Sequence, residues 1–156
     1  MPKTNNKKVS KIVTLRVKLP QIRSECVRVI EIDYNASFLE LHHAIQGAVA
    51  FDNDHLFQFY LGRHPGQHAY TIGGEPSWNG YNPVNRYRKI SISGTWPLPT
   101  GYKLYYLFDF GAQWIFQINK TRHKDKIARP GFIYPRVIEA KGKNPEQYPD
   151  WGYEEE

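Results

Sequence analysis

Two histidine-bearing segments and one aspartate are the parts of this chain best suited to chemistry. His42 and His43 are adjacent in Leu39-Glu40-Leu41-His42-His43-Ala44-Ile45-Gln46, His55 opens His55-Leu56-Phe57-Gln58-Phe59, and Asp109 ends the aromatic run Tyr105-Tyr106-Leu107-Phe108. Histidines on one helix reach a common ion at i, i+3 or i, i+4 spacing. His42 and His43 instead face about 100° apart, and Gln46 is a poor ligand for a transition metal. A set made of His42, His55 and Asp109 would have to be assembled by the fold, and a structural histidine bonded to a neighbouring polar group is the commoner state. Asp109 has three readings. It can accept backbone N–H groups in an Asx-turn, which ranks first. It can orient His55 or His42, or pair with Arg28. Last, it can ligate. Together with Trp114, the residues His42, Gln46, His55 and Asp109 are the candidate ligand-binding side chains. No catalytic residue, metal or cofactor is expected from their spacing alone.

Other chemistries find less purchase. Ser10, Ser24, Ser37, Ser77, Ser91 and Ser93 lack a strand–turn–helix elbow, and Gly62, Gly73 and Gly74 do not form a phosphate-binding loop. The single cysteine, Cys26, lies in Cys26-Val27-Arg28-Val29-Ile30 and reads as a small buried hydrophobe. One cysteine makes no internal disulfide, and no apolar leader follows the first residues, so a cytoplasmic protein is expected.

Charge points elsewhere. The net charge is +6, from 21 basic and 15 acidic residues, and residues 1–18 carry Lys3, Lys7, Lys8, Lys11, Arg16 and Lys18 with no acid. A second cluster holds Lys120, Arg122, Lys124, Lys126 and Arg129, diluted by Asp125. Such clusters bind nucleic-acid phosphates or merely solubilise. Tyr102, Tyr105, Tyr106, Phe108 and Trp114 near these bases can be read as a base-stacking platform or as core.

The elements that must position these groups follow from periodicity. A chain of 156 residues, 40% hydrophobic and 15% aromatic, is one domain, with residues 1–10 a flexible basic arm and 11–153 the folded part. No apolar run approaches the roughly 18 residues of a membrane span. Lys11–Leu19 and Val27–Ile32 alternate as strands of a hairpin. Ser37-Phe38-Leu39-Glu40 is a capping box opening an amphipathic helix over Phe38–Ala50. Strands are expected at His55–Leu61, Ala69–Ile72, Lys89–Ser93, Tyr102–Asp109 and Trp114–Thr121, the last two as a hairpin, with Gly73–Arg86 a long loop and an extended tail from Arg136. A β-β-α start followed by further strands predicts an α+β fold: a mixed sheet with one principal helix on one face, for which a β-grasp-like opening is one arrangement. A single helix cannot cover both faces of a wide sheet, so some aromatics are expected at the surface.

Three segments, taken in order, resemble the plasmid pRiA4b ORF-3-like family. Leu41-His42-His43-Ala44-Ile45-Gln46 matches its Leu-His-x-x-Ile-Gln helix, Phe51 to Phe59 its Trp-x-x-x-His-Leu-x-x-Phe strand entry, and Tyr106 to Trp114 its Tyr-x-Tyr-Asp-Phe-Gly-Asp-x-Trp hairpin. Tyr134-Pro135, Gly142 and Pro145 are similar to its tail. This is a divergent member: Cys26, Phe51, Ala112 and Phe116 stand where the family has Trp, Trp, an acid and His. The resemblance implies a plasmid or mobile-element setting and no settled activity. The expected function is a non-catalytic binding or interaction module with an unknown protein partner and no membrane association. The alternative is nucleic-acid binding through Lys120, Arg122, Lys124, Lys126 and Arg129. The second alternative is a hydrolase-like enzyme around His55 and Asp109.

Overall fold

The protein is described by a computed structural model over residues 10–148. The expected basic arm, Ser10 apart, and the tail beyond Tyr148 lie outside the described residues. β1 (Lys11–Lys18) and β2 (Val27–Asp33) form the anticipated hairpin, with Ile12 opposite Asp33 and Lys18 opposite Val27. α1 (Phe38–Val49) follows, then β3 (Phe57–Gly62), β4 (Tyr70–Thr71), α2 (Pro83–Arg88), β5 (Lys103–Phe108), β6 (Trp114–Lys120), β7 (Lys126–Ile127) and β8 (Arg136–Lys141). The sheet order is β4-β3-β5-β6-β1-β2-β8, with β7 added beside the first residues of β1.

Every strand pairing among the described residues is antiparallel. The mixed sheet is therefore corrected, and the β-grasp-like opening finds no support, because the strand beside β1 is an antiparallel β6. Residues 19–26 turn β1 back onto β2 and residues 109–113 turn β5 onto β6, whereas parallel neighbours need crossovers of a dozen or more residues. The single principal helix also gives way to two helices. α2 begins inside the stretch read as loop and runs two residues past it; Asn82 caps it by accepting from Asn85 N–H and Pro83 supplies the favoured first-turn φ. Lys89–Ser93 is no strand; Ser91 makes only an isolated bridge to Ser37. The extended tail becomes β8, paired to β2.

α1 forms where its capping box predicts. Ser37 Oγ accepts from Glu40 N–H at 3.1 Å, and Glu40 Oε2 accepts from Ser37 N–H at 2.8 Å. Its buried face, Leu41, His42, Ile45, Gln46 and Val49, covers Phe57, Phe59, Leu104, Tyr106, Phe108 and Phe116 on the inner sheet face. Tyr87 of α2 joins this core, accepting from Phe59 N–H and donating to the Ile72 carbonyl. The hairpin aromatics Tyr105, Tyr106 and Phe108 are thus core and not a stacking platform. On the outer face Tyr60 and Tyr105 are also buried, because loop residue His68 stacks on Tyr60 at 3.8 Å and Phe110 folds back over the same cluster.

The C-terminal tail is fastened by Arg28, itself 3% exposed. Its guanidinium donates to the carbonyls of Ala48, Val27, Lys141 and Gly142 and to Asn144 Oδ1, all between 2.8 and 3.1 Å. Gly142 turns the chain here at φ 82°, and a Cβ would lie 1.6 Å from the Glu25 carbonyl oxygen. One side chain thereby joins β2, the end of α1 and the segment leaving β8.

Ile45 has no exposed surface, so Ile45→Ala should cost about 2–5 kcal/mol in chemical denaturation by leaving a cavity. Ser37→Ala should cost only about 1 kcal/mol by removing the cap acceptor.

Candidate functional site

The sequence candidates separate into two adjoining polar groups. The first is closed and buried. His42 stacks flat on Phe57, with centroids 3.6 Å apart and planes 5° apart. Its Nδ1 lies 2.5 Å from Tyr106 Oη and its Nε2 2.6 Å from Asn53 Oδ1. Gln46 Nε2 donates to Tyr106 Oη at 3.0 Å, and Asn53 N–H donates to Gln46 Oε1 at 3.1 Å. Donors and acceptors balance in only one sense: Tyr106 donates to Nδ1, and His42 donates through Nε2 to Asn53. The imidazole is neutral, its pKa pushed down from 6.5 to about 4 by burial, against the bond to Asn53 and with a small contribution from His43. Burial likewise pushes the Tyr106 hydroxyl well above its ordinary range, the Gln46 bond opposing.

This ring holds the Phe51–Leu56 segment. Ala50 and Asn53 both sit in the left-handed region, at φ 56° and 53°, a conformation Asn tolerates. The turn delivers Asp54 and His55 to the hairpin end of β5. His55 Nε2 lies 3.4 Å from Asp109 Oδ2, 3.5 Å from Asp54 Oδ1 and 3.4 Å from Tyr148 Oη. Asp109, at φ 65°, accepts from Gly111 N–H at 3.0 Å and Ala112 N–H at 3.1 Å through Oδ1. The Asx-turn and the orientation of His55 are therefore one arrangement, using different oxygens of one carboxylate. Arg28 is not its partner; that side chain is spent on the tail.

The tail completes the cluster with residues no sequence signal indicated. Gln147 accepts from Asp52 N–H at 2.7 Å and donates to Asp54 Oδ1 at 3.0 Å, and Tyr148 donates to Asp54 Oδ2. That bond holds the Asp54 carboxyl below its ordinary range and pushes the Tyr148 hydroxyl up to about 12. His42 and His55 do not share a ligand set, and among the described residues no three His, Cys, Asp or Glu side chains converge as metal ligands.

Two open cavities flank His55. One, about 780 Å³, is lined by Asn53, Asp54, His55, Leu56, Tyr81 and Val84 among others; Tyr81 closes it by donating to the Phe57 carbonyl. The other, about 570 Å³, runs between Asp109, Trp114, Gln147 and Tyr148. Trp114 packs its indole edge-on against Phe51, centroids 5.2 Å apart, and its Nε1 is buried with no hydrogen-bond partner among the described residues. The basic candidates lie on another part of the sheet. Lys120 pairs with Asp125 at 3.2 Å and Lys126 with Glu31 at 3.1 Å, while Arg122, Lys124 and Arg129 are exposed.

Residues 11–155 match the profile described as plasmid pRiA4b ORF-3-like protein. The chain belongs to that family. It is also similar to the uncharacterized protein y4hQ of Sinorhizobium fredii (strain NBRC 101917 / NGR234), 29% identical over 150 residues, covering 94% of this chain and 72% of that one. Its fold is similar to the crystal structure of a protein of unknown function, MM3350, from Methanosarcina mazei Go1, with a TM-score of 0.64 and 24% identity over 85% of this chain and 70% of that one. Phe51 and Phe116 meet edge-on at 6.1 Å, Cys26 is buried, and Ala112 contributes its backbone to the Asp109 turn.

Because the folded His42 binds its proton less tightly than the unfolded one, its stabilising contribution is complete above about pH 6.5 and is lost as pH falls through about 4, a difference of about 3 kcal/mol. Urea melts between these limits should fall with decreasing pH, and His42→Gln should flatten that slope.

Proposed function

We propose that this protein is a non-catalytic binding module whose protein partner docks in the larger cleft beside His55. One contrast carries the reading. The polar groups at the floor face one another: His55 Nε2 lies 3.4–3.5 Å from Asp54, Asp109 and Tyr148, Asp109 is held by its own turn, and Asn53 by His42 and Gln46. Apolar side chains at its edge are exposed, Leu56 by 44% and Val84 by 39%, and Trp78, packed edge-on against Tyr81 and Phe110 nearby, is 71% exposed. A self-paired polar floor fixes a shape, and exposed aliphatic and aromatic side chains at its edge are what a partner buries.

The hydrolase-like alternative around His55 and Asp109 is weaker, since among the described residues no Ser, Thr, Cys or Lys lines either cavity. Nucleic-acid binding keeps one favourable observation, the exposed Arg122, Lys124 and Arg129, though acids already neutralise Lys120 and Lys126. A cytoplasmic, plasmid- or mobile-element-linked setting belongs to the same proposal, as does the folded unit over residues 11–153.

The test uses the immobilised protein in host lysate. A protein retained by the wild type should be lost with Leu56→Asp and Val84→Asp combined, at unchanged melting temperature. Retention indifferent to those changes contradicts the reading. So does duplex DNA binding with a steep salt slope that is abolished by Lys124→Gln with Arg129→Gln, or ester hydrolysis abolished by His55→Ala.

A further inference from the structure

We infer that β8 is a self-association edge, on which a second copy of this chain adds its own β8 antiparallel about a twofold axis. The two ends of the sheet are unequal. At one end β4 is two residues long and offers little to pair with. At the other, β8 runs six residues, pairs among the described residues with β2 alone, and is exposed from Val137 to Lys141. Its surroundings are apolar beyond what a free surface needs. Ile127 is 68% exposed, Phe132 44%, Ile133 85%, Val137 44% and Ile138 42%, a concentration that marks an interface.

Charge selects a second copy as the occupant. Arg136 lies opposite Glu31 and Glu139 opposite Val29 on β2, with Ile138 as the extra residue of a bulge. Glu31 and Val29 are two residues apart on one strand, so Arg136 and Glu139 share a sheet face although they are three apart. A twofold axis between Val137 and Ile138 then sets Arg136 of each copy directly opposite Glu139 of the other, on that same face. Val137 meets Ile138 between them. The contact is isologous and closes as a dimer, and opposite charges directly across an antiparallel pair stabilise it. A register centred on Ile138 sets Arg136 against Ala140 and Glu139 against Val137, leaving neither charge a counterpart across the contact, only Glu31 and Lys141 within its own chain.

Sedimentation equilibrium of the full chain over a wide concentration range tests this. The wild type should form dimers reversibly. Arg136→Glu and Glu139→Arg should each weaken the dimer by roughly tenfold or more, through two like-charge pairs. An equimolar mixture of the two variants should restore it as a heterodimer, since every pair is again complementary. Arg136 also lies 3.8 Å from Glu31; should Arg136→Glu lose its fold by circular dichroism, Ile138→Lys takes its place and must also weaken the dimer. A wild type that is monomeric throughout overturns the proposal, as does a dimer indifferent to these substitutions, a mixture of folded variants that stays monomeric, or a monomer that binds duplex DNA through β8 instead.

Discussion

The hydrogen-bonded ring of His42, Tyr106, Gln46 and Asn53 is the constraint on which the rest of the site depends. It lies in an apolar interior, where an unpaired polar group costs about 1–3 kcal/mol, and each of its members satisfies another. α1 supplies two residues, β5 one and the following turn one, so the ring ties helix, sheet and loop at a single place. Asn53 is the member that transmits this outward. With its side chain and its amide both held, the next two residues, Asp54 and His55, are carried to the end of the β5–β6 hairpin. The cleft is thus built from inside, by a buried neutral histidine.

A second fastening works from the other end of the chain. Arg28 spends all its donors on neutral oxygens around the exit of β8. The tail then runs to Asp52 and Asp54, where Gln147 and Tyr148 close the polar cluster. Residues more than ninety positions apart therefore meet at His55. The cluster's shape depends on the outermost strand.

Much of this was legible in the sequence where signals were local. The capping box, the helix it opens, the first hairpin and the aromatic hairpin follow from patterns within a few residues, and so does the Asx-turn at Asp109. The role of Asp109 toward His55 was one of three readings and proved compatible with the first. What escaped depends on distant partners. α2 was hidden because Gly, Pro and Asn around it read as loop, although Asn82-Pro83 is also a helix start. β8 read as tail because its pairing with β2 is set by Arg28, over a hundred residues away. Tyr106 was counted among aromatics without its hydroxyl being seen as the partner of His42, since only the approach of α1 to β5 brings them together. The mixed sheet was a matter of strand order, which periodicity does not encode.

In the folded protein His42 is a neutral donor and acceptor inside a closed ring, held apart from the cleft outside it. Long-range ¹H–¹⁵N NMR of the histidine side chains reads this directly. The account predicts His42 in the Nε2-protonated neutral form at every pH from about 5 to 8, with unchanged ¹⁵N shifts when zinc is added and a slowly exchanging Tyr106 hydroxyl proton. A His42 that becomes cationic near pH 6, or whose nitrogen shifts move on adding zinc, would contradict it.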